Sequence, residues 1–168
     1  MQKYIYKNRI FGLQELTAKV GGKKIDFAKI IEDDAIVVVP VINGRIILEK
    51  QYRPVIGKYI YELPAGHIRK GEKPINAVIR EMKEETGYTP KKVKFMFKSF
   101  PAPGLTTSMH YFFVATDMRI DKQKLDPDEI IDVVLVDSKE AFNMLRKNKI
   151  KDSKTIAALL YYFAMQKD

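Results

Sequence analysis

Apolar residues along the chain fall into short strand-like blocks, interrupted by three stretches of helical spacing. "DAIVVVPVI" (34–42) reads as a buried strand, and Asn43-Gly44 as a hairpin turn into "RIILEKQYR" (45–53). "KYIYEL" (58–63) predicts another strand, ended by the break Pro64-Ala65-Gly66, and strands recur at "KVKFMFKSF" (92–100), "MHYFFVATDM" (109–118) and "IIDVVLV" (130–136). Ahead of them, "YIYKNRIFG", "LQELTAKV", the turn pair Gly21-Gly22 and "KKIDFAKII" predict a small β segment at 1–34. That segment is too small to bury a core of its own, so it must pack on the main domain, 35–168, or on a second subunit.

Pro74 suits a first helical position and Gly87 a C-terminal cap, which predicts a helix over 74–86. Ser138 and Ser153 are candidate N-caps for helices through "KEAFNMLRKN" and "KTIAALLYYFAM". Strands mixed with a few helices, in no regular βαβ alternation, predict an α+β fold with a mixed sheet between helical layers.

Composition narrows the function classes. The 168 residues are 46% hydrophobic and 11% aromatic, enough for a real core, and contain no cysteine, which excludes disulfides and thiolate chemistry. No segment has the length of a membrane span or the form of a signal peptide, so a soluble, cytoplasmic protein is expected. The net charge of +9 comes from lysines scattered among glutamates rather than from a basic arm, and no nucleic-acid partner is expected.

The unusual chemistry sits in "REMKEETGY" (80–88). On the predicted helix Ile75, Val78, Ile79 and Met82 have the spacing of a core-facing stripe. Glu81, Glu84 and Glu85 then span roughly 100° of the neighbouring surface. Arg80 stands four residues before Glu84, and Glu72 can point into the same region from just ahead of the helix. Like charges so placed repel by a few tenths of a kcal/mol each. Two readings are open: a hydrated acidic face, or a site for a hard divalent cation with oxygen ligands.

The wider spacing decides between them. Gly66, Glu72, Arg80-Glu81, Met82, Glu84-Glu85, Gly87 and Tyr88 together resemble the Nudix box, with Tyr88 standing where the family usually has an aliphatic residue. The resemblance implies an α/β/α sandwich and hydrolysis of a nucleoside diphosphate linked to another moiety, with Mg2+ or Mn2+. It makes Glu81, Glu84, Glu85 and the Ala65 carbonyl metal ligands, gives Arg80 the task of orienting the glutamates, and has Glu72 support the loop.

Beyond the box, "EKQYRP", "YELPAGHIRKGE", "PAPGLTTS", "LDPDEIIDV" and "IKDSKTIAALLYY" resemble the ADP-ribose pyrophosphatase branch. The implied reaction takes ADP-ribose to AMP and ribose 5-phosphate. Pro103, sixteen residues past Gly87, stands at a marker position of that branch, and Arg53, Glu62, Pro103 and Gly104 are the implied substrate contacts. The acidic residue that the branch often carries near Ser108 is absent, whereas "DPDEIID" offers Asp126, Asp128 and Glu129. Glu129 is the expected base, Asp128 the second choice and Glu85 the alternative from the box. His67 and His110 are expected to be structural, and Tyr4, Tyr6, Phe11 and Phe27 to pack within the small sheet rather than stack on adenine. A homodimer with exchanged N-terminal segments is also implied.

Overall fold

The computed structural model describes residues 3–127 and 129–166. Three strands lead: β1 (Lys3–Lys7), β2 (Phe11–Val20) and β3 (Lys23–Glu32), an antiparallel sheet in that order. The single strand expected over 4–12 is broken at 8–10, because the Asn8 side chain accepts from the backbone N–H groups of Ile10 and Phe11, both at 2.8 Å. The Tyr4 ring lies over Gly12, where a Cβ would stand 2.5 Å from Tyr4 Cε1.

β4 (Ala35–Ile42), β5 (Arg45–Arg53), β6 (Lys58–Glu62), β7 (Ala65–His67), β8 (Tyr88–Ser99), β9 (His110–Ile120) and β10 (Ile131–Asp137) form the main sheet. Its order is β10-β5-β4-β9-β8, with β6 on β5 and β7 on β4. β4 and β9 run parallel and the other pairs antiparallel, so the sheet is mixed as expected. The break foreseen at 64–66 is shorter than expected: only Leu63 and Pro64 lie outside a strand, and Ala65 and Gly66 already belong to β7, which pairs with β4.

Three helices cover the sheet: α1 (Pro74–Glu81), which continues as a π-helical turn over Met82–Thr86, α2 (Ser138–Arg146) and α3 (Ser153–Met165). Alternation along β4 splits its side chains between two cores: Val37 and Val39 pack with α2 and α3 residues, Ile36 and Val38 with Ala77, Val78 and Met82. The result is an α/β/α sandwich. The small sheet is tied to the main one through β3, where Ile30 N–H donates to Leu105 O at 2.8 Å and Glu32 accepts from the Thr106 hydroxyl at 2.8 Å.

Three local expectations need correction. Ile75 and Ile79 are 43% and 38% exposed, and the buried side of the helix is Ala77, Val78 and Met82. At about 100° per residue that face is centred near Glu81 and Glu85, so these glutamates point into the body of the protein instead of flanking the core. Each serine cap also moves back by one residue. Asp152 caps α3, accepting from Thr155 N–H at 2.9 Å, and Asp137 occupies the cap of α2, while the Ser138 hydroxyl donates to Gly44 O.

Candidate active site

α1, its π-helical end, β4, β5, β7, β9 and the start of α3 line one cavity of about 740 Å3. Gly87, at φ 72°, ends the π-helical turn in the left-handed conformation that glycine tolerates. The turn holds Glu84 and Glu85 on the cavity side, and π-turns inside helices recur where side chains must be re-aimed for function.

Arg80 organises the acidic groups. Its guanidinium donates to both oxygens of Glu72 at 2.9 Å each, to Glu81 Oε1, to Glu84 Oε2 at 3.2 Å and to the His67 carbonyl at 2.9 Å. Those bonds hold the Glu72 carboxyl below the usual carboxylate range and raise the Arg80 guanidinium further. Glu72 also accepts from Arg69 N–H at 2.9 Å, which fixes the loop ahead of the helix. In this arrangement an arginine supplies the charge that offsets the crowded glutamates.

Gly66 makes room for one of them, since a Cβ there would stand 2.1 Å from Glu81 Oε1. Glu85 is 4% exposed and accepts from Ala65 N–H at 3.1 Å. Burial pushes the carboxyls of Glu81 and Glu85 upward, and for Glu85 the charges of Glu49, Glu81 and Glu129 add to it. Burial and the neighbouring Glu62 likewise push the Glu49 carboxyl up to about 8.

The opposite charge comes from two cations held by one acid. Glu62, 2% exposed, accepts a forked pair of bonds from Arg53 at 2.6 and 2.8 Å and a further bond from Lys154. Burial alone would raise Glu62, but these partners bring its carboxyl below the ordinary value. Arg53 and Lys154 both line the cavity, whereas Glu62 lies behind them.

Of the residues expected from sequence, Arg53, Ala65, Arg80, Glu81, Glu84, Glu85 and Glu129 line the cavity. Asp126 is there too, and Asp128 lies outside the described residues. Pro103 and Gly104 are exposed and do not join this lining. A turn folds back on Ala102 O and pins Leu105 and Thr106 to β3, which carries Pro103-Gly104 outward and leaves Phe100 at the cavity instead. His67 and His110 both line the cavity, and burial lowers the His110 imidazole. Tyr4, Tyr6, Phe11 and Phe27 do not line it in this chain; Tyr6 and Phe11 pack on each other at 5.7 Å.

Sequence reasoning missed Lys154, Gln51, Phe100 and Glu49. Lys154 meets a glutamate 92 positions earlier, and nothing local marks it. Glu49 did carry a signal, a charge set among the apolar residues of "RIILEKQYR".

The donor set suits a hard divalent cation, being all oxygen, with Glu85 buried and Ala65, Glu81 and Glu84 half-buried. As placed, no three carboxylate or histidine side chains among the described residues gather around a common point, because Arg80 engages Glu81 and Glu84.

Residues 32–159 match the NUDIX domain. The chain belongs to the Nudix family. Across 95% of its length it is 29% identical to an ADP-ribose pyrophosphatase of Bacillus subtilis, covering 89% of that protein. It is also 29% identical to a methanol dehydrogenase activator of Bacillus methanolicus, over 94% of this chain and 87% of that one. A GDP-mannose pyrophosphatase of Yersinia enterocolitica is 32% identical over 71% of this Nudix chain and 66% of its own. The fold superposes on a crystal structure of an ADP compounds hydrolase with a TM-score of 0.89 at 21% identity, over 99% of this chain and 92% of that one.

Proposed function

We propose that this Nudix protein hydrolyses the diphosphate of ADP-ribose, giving AMP and ribose 5-phosphate, in a reaction that depends on a divalent cation. The observation that carries the reading is a single cavity lined both by the acidic helix with Arg80 and by the cations Arg53 and Lys154. A nucleotide sugar needs both: cationic groups for its phosphate oxygens, and carboxylates for the ion that shares those oxygens. The Bacillus subtilis relative, similar along nearly the whole chain, favours ADP-ribose within that class.

Glu81, Glu84, Glu85 and the Ala65 carbonyl are the groups that would hold the ion, Mg2+ with Mn2+ as a substitute. A cation there supplies polarisation of a phosphoryl oxygen and a lowered pKa for a bound water. Arg53 and Lys154 orient the diphosphate and offset the charge that grows on its oxygens. Water adds to one phosphorus while the bond from that phosphorus to the bridging oxygen breaks. Glu129, on the cavity wall, accepts the proton of the attacking water and returns it to solvent. The substrate class is an intracellular nucleotide, which fits a cytoplasmic enzyme. The exposed Tyr4, Tyr6, Ile25 and Phe27 of the small sheet support a homodimer with exchanged N-terminal segments.

A panel of ADP-ribose, GDP-mannose and other nucleoside diphosphate sugars, with Mg2+ and product identification, tests the reading on wild type, Glu85→Gln and Glu129→Gln. ADP-ribose should be cleaved by wild type, and each variant should lose about 10²-fold or more in kcat. Cleavage of GDP-mannose with ADP-ribose untouched would move the assignment to the second reading, which the Yersinia relative favours.

A further inference from the structure

A charged side chain inside a buried strand needs a partner. Glu49 is 1% exposed on β5, and its Oε1 has no hydrogen-bond partner among the described residues. The two-residue alternation of the strand puts it on the same side as Gln51 and Arg53, which both line the cavity. The nearby cations are already engaged, since Arg53 and Lys154 both bind Glu62, the cross-strand neighbour of Glu49. Ile47, two residues earlier on the same face of β5, packs with Ala77, Val78 and Met82, so the face that carries Glu49 is turned toward the acidic helix. Glu85, on that helix, is buried as well, at 4% exposed.

Two buried carboxylates set against each other without a cation are costly, and an apolar residue at position 49 would remove the cost. A hard divalent ion removes it as well and makes use of the free oxygen. We propose, on the cation-dependent reading of the cavity given above, that Glu49 is a further carboxylate donor to the ion held by Glu81, Glu84 and Glu85. The ion is then gripped from the β5 side as well as from the helix, by a residue outside the Nudix box.

Mn2+ binding to the full-length chain decides the matter, followed by titration calorimetry and by the rise in Tm on adding the ion. Glu49→Gln should raise the Mn2+ Kd at least tenfold and remove most of that rise, while the metal-free Tm equals or exceeds that of wild type. Glu49→Met, close in volume and without a polar atom, gives the same result and covers a failure of the first variant to fold. A Kd within twofold of wild type in either variant overturns the assignment. Glu85→Gln separates the two levels. If it loses Mn2+ while Glu49→Gln keeps it, Glu49 is no donor and the cation-dependent reading stands. If wild type itself binds no Mn2+, both fall.

Discussion

The Glu81 carboxylate occupies the space that any side chain at residue 66 would need. A Cβ on Gly66 would stand 2.1 Å from Glu81 Oε1 and 2.2 Å from its Cδ, so this glycine is required for space rather than for its backbone angles. Gly66→Ala forces the Glu81 side chain aside, and the end of a glutamate can move without unpacking the core. The expected outcome is a fall of about 10- to 100-fold in activity, with a stability loss of only ~1–2 kcal/mol. Steady-state kinetics alongside a thermal melt check this; equal damage to both readouts would point to a general packing role.

Arg80 serves five acceptor oxygens from four residues at once, which a lysine cannot reproduce. Its planar fork meets both oxygens of Glu72 while its other nitrogen reaches Glu81 and Glu84. Arg80→Lys keeps the charge and loses the fork, so kcat/KM should drop by about tenfold or more although net charge is unchanged. Near-wild-type activity in Arg80→Lys would show that only the charge matters.

The Arg80–Glu72 pair also sets an acid limit on stability. The Glu72 carboxyl is depressed in the folded protein, first by its bonds from Arg80. A depressed carboxylate contributes stability that is present above its ordinary value of 4.5 and is lost as pH falls through the folded value. Glu72→Gln should therefore melt a few degrees below wild type at pH 7, for a loss of about 1 kcal/mol. The gap should close as the pH is lowered below 4.5. Melting curves from pH 7 down to pH 3 test the sign, and a gap that widens in acid would refute it.

Much of this site can be read from the chain because its local signals are strong. Pro74 and Gly87 bracket the helix and its π-helical end, and both do what their backbone chemistry dictates. The face of that helix was harder to read. Hydrophobic periodicity assigns Ile75 and Ile79 to the core, yet Glu81 and Glu85 take the inward direction, since a functional site reverses the usual rule that charge faces water. The caps of α2 and α3 slipped by one residue for two reasons: Asp152 takes the capping bond ahead of Ser153, whereas the Ser138 hydroxyl is spent on Gly44 O and Asp137 holds the cap position without a side-chain bond. Lys154 reaches Glu62 only through the tertiary fold, which brings the start of α3 to β6.

Three hydrogen bonds fasten the segment after β9 to the end of the acidic helix. Asp121 N–H donates to Gly87 O at 2.8 Å, Lys124 N–H to Glu84 O at 2.9 Å, and the Gln123 amide to Glu85 O at 2.6 Å. Carbonyls at a helix end lack partners within the helix, so this segment satisfies them from outside. The same segment leads to Asp126 and Glu129 at the cavity, which makes Gln123 a tether between the glutamate-bearing turn and the expected base. Gln123→Ala leaves the two backbone bonds in place and loosens the third. Its cost in stability should be about 1 kcal/mol, while kcat falls about tenfold and KM stays within twofold, because Arg53 and Lys154, proposed above to hold the diphosphate, lie on other elements. A lowered Tm with unchanged kcat would mean that Glu129 is positioned without Gln123.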